Sequence, residues 1–307
     1  AEILDICRFW LGVGVDGFRL DAVLAYYGED TAKNTAFLSW LMDALRAMKP
    51  DIYVAGEAWK DAGTIERYYE SGLPSLFNFP FAGPEGAIVK AVRGGDGAAL
   101  AQRAADWQAV WAAHPGATDA PFLSNHDIAR IAGTLMQKTD ALKLAASLYL
   151  TLPGTPFIYY GEEIGMTGSG RDENKRLPML WSDDDAAGAS LPPEGADQAA
   201  KAQGSVQAQL VDPDSLLNHY RALLGLRNAH PALQTGALSP LHTGVPSLCA
   251  YALETDGETL YVLHNLGKEA VTLPWAHAPI AWLNAAEGAA YDGAALALPP
   301  MTSVVAR

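Results

Sequence analysis

Apolar and polar residues alternate along the first two-thirds of the chain in a way that predicts strands followed by helices. Short apolar runs of strand type lie at residues 15–20, 52–55, 75–79, 120–123 and 156–160. Segments with apolar residues at helical spacing lie at residues 1–12, 35–48, 62–71, 84–93, 98–113 and 141–151. Such alternation is typical of βα units around a parallel sheet. The pattern thus predicts fewer strands than the eight of a closed (β/α)8 barrel.

The character of the sequence changes after the last of these strands. Residues 167–213 are rich in Gly, Pro, Ala, Ser and Asp, which predicts a long surface excursion. A helix capped by Asp214 or Ser215 is predicted next, and short β-type runs separated by turn residues follow it. We therefore divide the chain into a barrel portion, residues 1–230, and an antiparallel β-sandwich domain, residues 231–307.

Composition and charge narrow the classes of function. The 307 residues carry 21 Lys and Arg against 35 Asp and Glu, a formal net charge of −14. A protein that tracks phosphate groups relies on clustered Lys and Arg, so this balance argues against nucleic-acid binding. No apolar run approaches the roughly 20 residues of a membrane helix, which argues against a membrane span. The two cysteines, Cys7 and Cys249, have the spacing of neither a disulfide framework nor a metal site.

An acidic residue follows three of the strand-like segments. Asp21, Glu57 and Asp127 lie directly or almost directly after apolar runs. In a βα barrel the active site lies at the carboxyl ends of the strands. Two carboxylates that face each other across a sugar are the minimum requirement for cleaving a glycosidic bond. The order Asp, Glu, Asp therefore indicates a glycosidase.

The first acid has a basic neighbour. Arg19 and Asp21 are two residues apart on a predicted strand, so their side chains share one face. A guanidinium beside a carboxylate lowers the pKa of the carboxyl group and favours the ionised form. An ionised Asp at a strand end is suited to attack an anomeric carbon. The alternative is a purely structural Arg–Asp pair at the barrel rim.

The second acid is expected to be a proton donor. Glu57 follows an apolar strand and precedes Trp59 by two residues. A water-poor aromatic neighbour raises the pKa of a carboxyl group, as a general acid at neutral pH requires. The alternative is a Glu favoured by the dipole at a helix N-terminus. Trp59 itself either stacks on a sugar or packs against the protein.

The third strand end carries two candidate groups. His126 can donate a hydrogen bond to a sugar hydroxyl, and Asp127 can bind neighbouring hydroxyls while stabilising positive charge on the ring. The alternative is a turn, in which Asn, His and Asp are common. Three strand ends that all carry suitable acids favour an active site over any of the single alternatives. Glu162 and Glu163, after the last strand, are either site residues or loop anchors, and anchoring a loop is the favoured interpretation.

These segments together resemble the α-amylase superfamily, glycoside hydrolase family 13. The resemblance rests on GFRLDA at residues 17–22, VAGEAW at 54–59 and FLSNHD at 122–127, with support from residues 154–166 and 176–181. It covers essentially the whole chain. It implies a (β/α)8 TIM barrel with a C-terminal antiparallel β domain, and a retaining mechanism on α-glucosidic bonds. By position, it implies Asp21 as nucleophile, Glu57 as acid/base, Asp127 as transition-state stabiliser, and Arg19 and His126 as substrate-binding residues.

Two departures from the family pattern bear on the substrate and on completeness. Leu24-Ala25 stand where starch-cleaving relatives often carry Lys-His, which puts a long-polymer binding mode in doubt. The family's first barrel strands are absent, so we expect the chain to begin just before strand four. It is then the C-terminal part of a larger enzyme that works only with the missing portion, in the same or another chain. No cofactor is expected from this chain, and calcium stays open for the complete enzyme.

The leading interpretation is hydrolysis of α-1,4-glucosidic bonds in starch-derived maltodextrins. An α-glucosidase or a transglycosylase of the same superfamily is the first alternative, because loops rather than acids decide chain length and acceptor. A non-catalytic carbohydrate-binding protein, or an inactive fragment, is the alternative from another class. We expect an extracellular or cell-surface location, and a cytoplasmic one stays open because the N-terminus is absent.

Overall fold

The computed structural model describes residues 2–184, 190–275, 277, 281–284 and 287–307. The chain divides into two compact units. The first runs from the N-terminal helix to Pro80 and includes Asp106–Ala120, and the second consists of Phe81–Ala105 and Pro121–Arg307. Within the described residues, no helix combines the length and the apolar character that crossing a membrane requires.

Helices and strands alternate from the N-terminus to residue 120. In chain order they are α1 (Glu2–Val13), β1 (Gly17–Leu20), β2 (Tyr26–Glu29), α2 (Thr31–Met48), β3 (Tyr53–Gly56), α3 (Ala62–Tyr69), β4 (Ser75–Phe77), α4 (Ala87–Gly94), α5 (Gly97–Ala112) and β5 (Thr118–Ala120). Four strands of the first unit form one sheet in the order β1-β3-β4-β5, with parallel pairing throughout. This is the arc of a βα barrel, because strands that follow one another in the βα pattern are also neighbours in the sheet.

The strand β2 was not predicted from the sequence. Its four residues are all exposed, so no alternation of apolar and polar positions marks it. The buried side chain of Asn34 holds the turn around it, accepting from the Tyr27 N–H at 2.7 Å and donating to the Leu24 carbonyl at 2.7 Å. The hydrogen bonds of one buried side chain therefore stabilise this local structure, and no alternating sequence pattern predicts it.

The first two strands of the sheet approach each other closely at Gly17. A Cβ atom on this glycine would lie 1.8 Å from the carbonyl oxygen of Tyr53, its partner in the register. The contact is with backbone, which cannot rotate away as a flexible side chain can. The position therefore requires glycine.

We expect Gly17→Ala to destabilise the protein by about 1–3 kcal/mol or more, because the new methyl group forces β1 and β3 apart. The matched control is Gly12→Ala in α1, where an added Cβ would have no atom within 4 Å. That control is expected to stabilise by at most about 0.5–1 kcal/mol, the gain when alanine replaces glycine in the middle of a helix, because Gly12 lies in the last turn of α1. Urea unfolding of both variants checks this, and equal midpoints would contradict the close approach.

The second unit continues the βα pattern with less regular strands. Its elements up to residue 235 are α4, the first part of α5, α6 (Ile131–Thr134), α7 (Thr139–Leu150), a 3-10 turn (Glu162–Ile164), α8 (Asp172–Lys175), α9 (Val206–Val211), α10 (Leu216–Ala229) and α11 (Ala232–Thr235). The helix α10 begins after Ser215, whose hydroxyl accepts from the Asn218 N–H at 3.2 Å. Of the two caps expected from the sequence, Ser215 is therefore the one used.

Two predicted strands differ from the structure. The run at residues 120–123 is a strand only to Ala120, and Phe122 then forms an isolated parallel bridge with Phe157. The strand predicted at residues 156–160 is reduced to that bridge. Pro156 has no N–H to donate, and Gly161, with a φ of +81°, immediately precedes the 3-10 turn, so the residues at both ends of this run disfavour a longer ladder.

The long segment after residue 166, predicted as a surface loop, contains more buried residues than its composition predicts. Leu177 is 1% exposed and forms a small core with Ile164 and Met166. Asn174 is also buried, and its amide bonds to the Ser169 carbonyl and the Asp197 carboxylate. Residues 185–189 lie outside the described part. Contacts between residues that are distant in the sequence stabilise this segment. Its composition alone therefore could not predict its packing.

The C-terminal part consists of antiparallel strands. They are β6 (Ala237–Pro240), β7 (Leu248–Thr255), β8 (Glu258–Asn265), β9 (Val271–Pro274), β10 (Trp282–Asn284), β11 (Ala290–Tyr291), β12 (Ala295–Leu298) and β13 (Thr302–Ala306). One sheet has the order β10-β13-β8-β7-β6 and the other the order β11-β12-β9. A buried cluster with members in both sheets, including Leu263 and Leu296, forms the core. The antiparallel β domain is confirmed, and its boundary at residue 231 stays a prediction.

Candidate active site

Two of the predicted acids lie at adjacent strand ends of the first unit. Asp21 directly follows β1 and Glu57 directly follows β3, its parallel neighbour. The backbone bonds continue past the strands, since the Glu57 N–H donates to the Leu20 carbonyl at 2.9 Å and the Val23 N–H to the Glu57 carbonyl at 3.0 Å. These bonds hold the segments that carry the two acids side by side.

A single guanidinium joins both carboxylates. The Nη1 atom of Arg19 lies 2.5 Å from Oδ1 of Asp21, and its Nη2 atom lies 2.5 Å from Oε2 of Glu57. The predicted shared face of Arg19 and Asp21 is therefore present. The structural Arg19–Asp21 pair, which was the alternative from the sequence, is also present. Arg19 binds a second acid as well, and a simple pair at the barrel rim does not explain this.

The two acids differ in exposure. The side chain of Asp21 is 76% exposed, whereas that of Glu57 is 9% exposed. Burial raises the pKa of Glu57, the neighbouring Asp21 raises it further, and the Arg19 charge opposes both. A raised pKa of Glu57 was expected from the sequence, but the cause expected was an aromatic neighbour. The structure attributes it to burial and to a second carboxyl group.

The backbone after Asp21 has an unusual conformation. Ala22 has a φ of +42°, in the left-handed region that residues other than glycine rarely adopt. In this conformation the Ala22 N–H points at Oε2 of Glu57, 3.4 Å away. Such strain costs on the order of 1–3 kcal/mol and is concentrated at functional sites.

An aromatic pair lies on the chain next to Glu57. The ring of Trp59 stacks on that of Phe79, with centroids 5.1 Å apart and planes at 14°. Trp59 is nevertheless 50% exposed, while Phe79 is buried. The packing alternative for Trp59 is thus observed, and enough of the ring stays exposed for contact with a ligand.

The other predicted residues lie in the second unit. The Asn125 side chain accepts from the N–H groups of Asp127 and Ile128, at 2.9 and 2.8 Å. Asn125 therefore forms the turn that was the alternative for this segment. The Nε2 atom of His126 lies 3.2 Å from Oδ2 of Asp127, so these two predicted residues form a pair.

Two basic residues at this site were not among the predicted site residues. The Nη2 atom of Arg176 lies 2.8 Å from Oδ1 of Asp127, and its Nε donates to the His126 carbonyl at 3.1 Å. The Lys175 ammonium donates to the Asp127 carbonyl at 2.9 Å. Both lie almost 50 residues along the chain from Asp127. The only sequence signal was the segment at residues 176–181 that contributed to the resemblance.

Of the two acids after the predicted last strand, Glu162 has the contacts expected of a loop anchor. Its carboxylate is buried and accepts hydrogen bonds from Ser124, Tyr149 and Tyr220, at 2.8, 3.0 and 3.0 Å. Burial raises the pKa of Glu162 to about 7, against the effect of these donors. Because Ser124 directly precedes Asn125, this anchor supports the strand end that carries Asp127. Across the described residues, no group of three or more His, Cys, Asp or Glu could hold a metal ion.

The predicted site residues therefore form two clusters, one in each unit. Arg19, Asp21 and Glu57 form the first, and His126 and Asp127 with Lys175 and Arg176 form the second. Their convergence on one pocket stays a prediction. So does the separation of about 5–5.5 Å between the Asp21 and Glu57 carboxyl groups that a retaining mechanism requires.

Comparison with known families identifies two matched regions. Residues 1–236 match the family model described as alpha amylase, catalytic domain. Residues 248–305 match the model described as the C-terminal domain of the alpha-amylase SusG.

Similar sequences carry related names. "Alpha-amylase 3" of Dictyoglomus thermophilum is 37% identical over 277 residues, which cover 87% of this chain and 53% of that protein. "Alpha-amylase SusG" of Bacteroides thetaiotaomicron is 34% identical over 289 residues, which cover 89% of this chain and 41% of that protein. The chain thus spans about half the length of these curated relatives.

Solved structures show the same fold. Amy13B of Eubacterium rectale superposes with a TM-score of 0.94 at 30% identity, covering 99% of this chain and 62% of that one. The alpha-amylase from H. orenii superposes with a TM-score of 0.86 at 33% identity, covering 99% of this chain and 63% of that one. These neighbours confirm the predicted fold class, part of a (β/α)8 TIM barrel followed by an antiparallel β domain.

Proposed function

The chain belongs to the α-amylase family of glycoside hydrolases, and from this premise we propose that it carries the catalytic acids of a retaining enzyme that cleaves α-1,4-glucosidic bonds in maltodextrins. The observation that carries the proposal is the Arg19 guanidinium bound at once to Asp21 and Glu57. It brings together one exposed carboxylate and one buried carboxyl group of raised pKa. These are the properties that a nucleophile and a proton donor require.

The first step forms a covalent intermediate. Asp21 attacks the anomeric carbon while Glu57 gives its proton to the glycosidic oxygen, so the bond to the leaving sugar breaks. Arg19 pairs with the Asp21 carboxylate, and a guanidinium in this position favours the charged form that attacks. The exposure of Asp21 leaves its oxygens accessible to the substrate.

The second step releases the product. Glu57, now ionised, takes a proton from water, and the oxygen of that water attacks the anomeric carbon and displaces Asp21. Asp127 binds neighbouring sugar hydroxyls and stabilises the positive charge that develops on the ring, and His126 donates to a hydroxyl.

The substrate class follows from the family and from the names of its members. The relatives include alpha-amylases and a protein named cyclomaltodextrinase, the latter at 28% identity. We assign malto-oligosaccharides as substrates. A protein named "Trehalose synthase/amylase TreS", 29% identical, keeps glucosyl transfer as the second candidate.

Product analysis tests this function. Maltoheptaose is incubated with the protein, and proton NMR follows the first anomer to appear. Retention gives the α anomer, and internal cleavage gives mixed shorter chains.

Cleavage of maltose in preference to maltoheptaose indicates an α-glucosidase, and products longer than the substrate indicate glucosyl transfer. Binding of maltoheptaose without any turnover in the complete polypeptide would overturn the hydrolase assignment in favour of a carbohydrate-binding protein.

A second proposal concerns the partner of the first unit. Five large apolar side chains of α1 are between 37% and 64% exposed, namely Ile3, Ile6, Phe9, Trp10 and Val13. In the described sheet, β1 is an edge strand. An exposed apolar helix face and an open edge of a parallel sheet in the same unit both favour association. We assign this face to the remaining βα units of the barrel, supplied by the same or another polypeptide.

We expect Phe9→Glu to abolish this association, because it places a charge in the apolar face. The assay mixes residues 1–307 with the part of the Dictyoglomus relative that they do not cover, and measures co-elution and maltoheptaose hydrolysis. Arg8→Glu, on an exposed side chain one position away, introduces the same residue with an even larger change of charge, two units instead of one, and is expected to associate normally. Robust hydrolysis by residues 1–307 alone would contradict the need for a partner.

A further inference from the structure

The segment 172–177 lies against the strand end that carries His126 and Asp127. It contributes three hydrogen bonds to those two residues. Lys175 donates to the Asp127 carbonyl, and Arg176 donates to the His126 carbonyl and to the Asp127 carboxylate. The segment therefore contacts the backbone of both site residues and the side chain of one of them.

A buried arginine holds this segment in place. Arg130 is 2% exposed, and its Nε donates to the Lys175 carbonyl at 3.0 Å while its Nη1 donates to the Tyr160 carbonyl at 2.7 Å. Its guanidinium lies over the rings of Tyr159 and Tyr160, 4.4 and 4.8 Å from their centroids. The planar, forked guanidinium suits this combination of ring stacking and directed donation, which an ammonium group does not reproduce.

The two tyrosines bind the same segment directly. The Tyr159 hydroxyl donates to the Lys175 carbonyl at 3.1 Å, and the Tyr160 hydroxyl donates to the Leu177 carbonyl at 2.7 Å. The Lys175 carbonyl thus accepts from both Arg130 and Tyr159. The backbone of residues 175–177 is fixed by three side chains from elsewhere in the chain.

The Lys175 side chain is unusual for a lysine. It is only 11% exposed, and its ammonium bonds to the Asp172 carboxylate at 2.8 Å and to the Asp127 carbonyl at 2.9 Å. Lysines are rarely buried to this extent unless they are paired, because desolvating the charge is costly. Here one of the partners is the main chain of a site residue.

The backbone at Gly168 also approaches the 172–177 segment closely. The Arg130 N–H donates to the Gly168 carbonyl at 2.9 Å. A Cβ atom on Gly168 would lie 2.1 Å from the carbonyl oxygen of Asn174, so the chain at residue 168 packs tightly against the start of the 174–177 backbone. The backbone at residue 174 is therefore packed against residue 168, in addition to the bonds that hold residues 175 and 177.

We propose that Lys175 and Arg130 are positioning residues that act through the 172–177 segment to fix the orientation of the Asp127 carboxylate and the His126 ring. The inference rests on the proposed function of Asp127 in sugar binding. Arg130 acts on the backbone of the segment, and Lys175 acts on the backbone of Asp127. Neither residue needs to touch the sugar.

Lys175→Met tests the proposal, because it keeps the side-chain length and removes the donor to the Asp127 carbonyl. We expect kcat/KM for maltoheptaose to fall by about 10- to 100-fold, the effect of displacing a reacting group by roughly 1 Å. KM should rise together with the fall in kcat, since Asp127 binds the sugar before and during reaction. Lys175→Arg, which keeps a donor, is expected to restore most of the activity.

The matched control is Lys143→Met. The Lys143 ammonium also donates to a main-chain carbonyl, that of Asp214, but it has no contact with the 172–177 segment among the described bonds. We expect this control to keep wild-type kinetics. Arg130→Lys keeps the charge and loses the fork, and is expected to behave like Lys175→Met.

A spectroscopic readout separates this proposal from the proposed function. The imidazole nitrogen signals of His126 report its contact with Asp127, and we expect them to shift in Lys175→Met and in Arg130→Lys but not in Lys143→Met. If the wild type shows no hydrolysis even with the remaining βα units present, the function fails while the shifts still support positioning. Unchanged His126 signals together with kinetics within about twofold of wild type would overturn the proposal.

Discussion

Glu57→Gln is expected to lower kcat for maltoheptaose by about 10²- to 10⁴-fold, the usual contribution of a positioned acid or base. Glutamine has nearly the same shape and still accepts hydrogen bonds from Arg19 and Ala22, so the fold should survive. It cannot donate a proton to the glycosidic oxygen. Steady-state kinetics with the remaining βα units of the barrel present, and a far-UV spectrum, are sufficient for the test.

The matched control is Glu66→Gln, which makes the same chemical change at an exposed position on α3. A second substrate sharpens the result. Fluoride leaves without protonation, so an α-maltosyl fluoride should show a smaller loss in Glu57→Gln than maltoheptaose does. Equal losses on both substrates, or wild-type activity on maltoheptaose, would remove Glu57 from the role of acid.

The pH dependence follows from the same residue. The pKa of Glu57 is raised above its ordinary value by burial and by Asp21. The acid must be protonated to act, so activity should fall as pH rises through this raised pKa. Stability follows the same direction, because a raised pKa gives stabilisation that is complete below the unfolded-state value and is lost as pH rises through the folded-state value. Glu57→Gln should remove this pH dependence.

Asp21→Ala is expected to lower kcat on the order of 10⁴-fold or more, as the loss of a catalytic nucleophile does in other hydrolases. The substitution also creates space beside the anomeric carbon. Added azide should therefore restore part of the activity on α-maltosyl fluoride by attacking that carbon directly. The product is then the β-maltosyl azide, of inverted configuration, because a single displacement replaces two.

The control for this prediction lies on the chain just before the same strand. Asp16→Ala removes a carboxylate that is 95% exposed and pairs with Lys49 at 3.5 Å, before β1 begins. It should leave both activity and product configuration unchanged. An α-configured azide product, or no rescue of an otherwise folded Asp21→Ala protein, would contradict the assignment of Asp21 as nucleophile.

The strand ends of the first unit could be predicted because their signals are local. An apolar run followed by an acid marks both Asp21 and Glu57, and the parallel pairing of β1 with β3 then places the two segments together. The two-residue spacing of Arg19 and Asp21 likewise predicted their common face. Each of these inferences needs only a few neighbouring residues and the regular geometry of a strand.

Other features could not be predicted because they depend on contacts between distant residues. Lys175 and Arg176 reach Asp127 from almost 50 residues away, out of a segment whose composition predicts a surface loop. The strand expected at residues 156–160 fails because Pro156 and Gly161 limit its ladder to one bridge. The exposed β2 has no periodic pattern, since one buried side chain, Asn34, organises it.

The sequence by itself determined the family, the order of the βα units, and the identity of the acids at their ends. These depend on residue type and on spacing along the chain. Only the tertiary structure decided that Arg19 joins two acids, that Glu57 is the buried one, and that Lys175 and Arg176 bond to Asp127. Burial and hydrogen-bond partners are properties of the folded chain, because packing brings together groups that no local pattern relates.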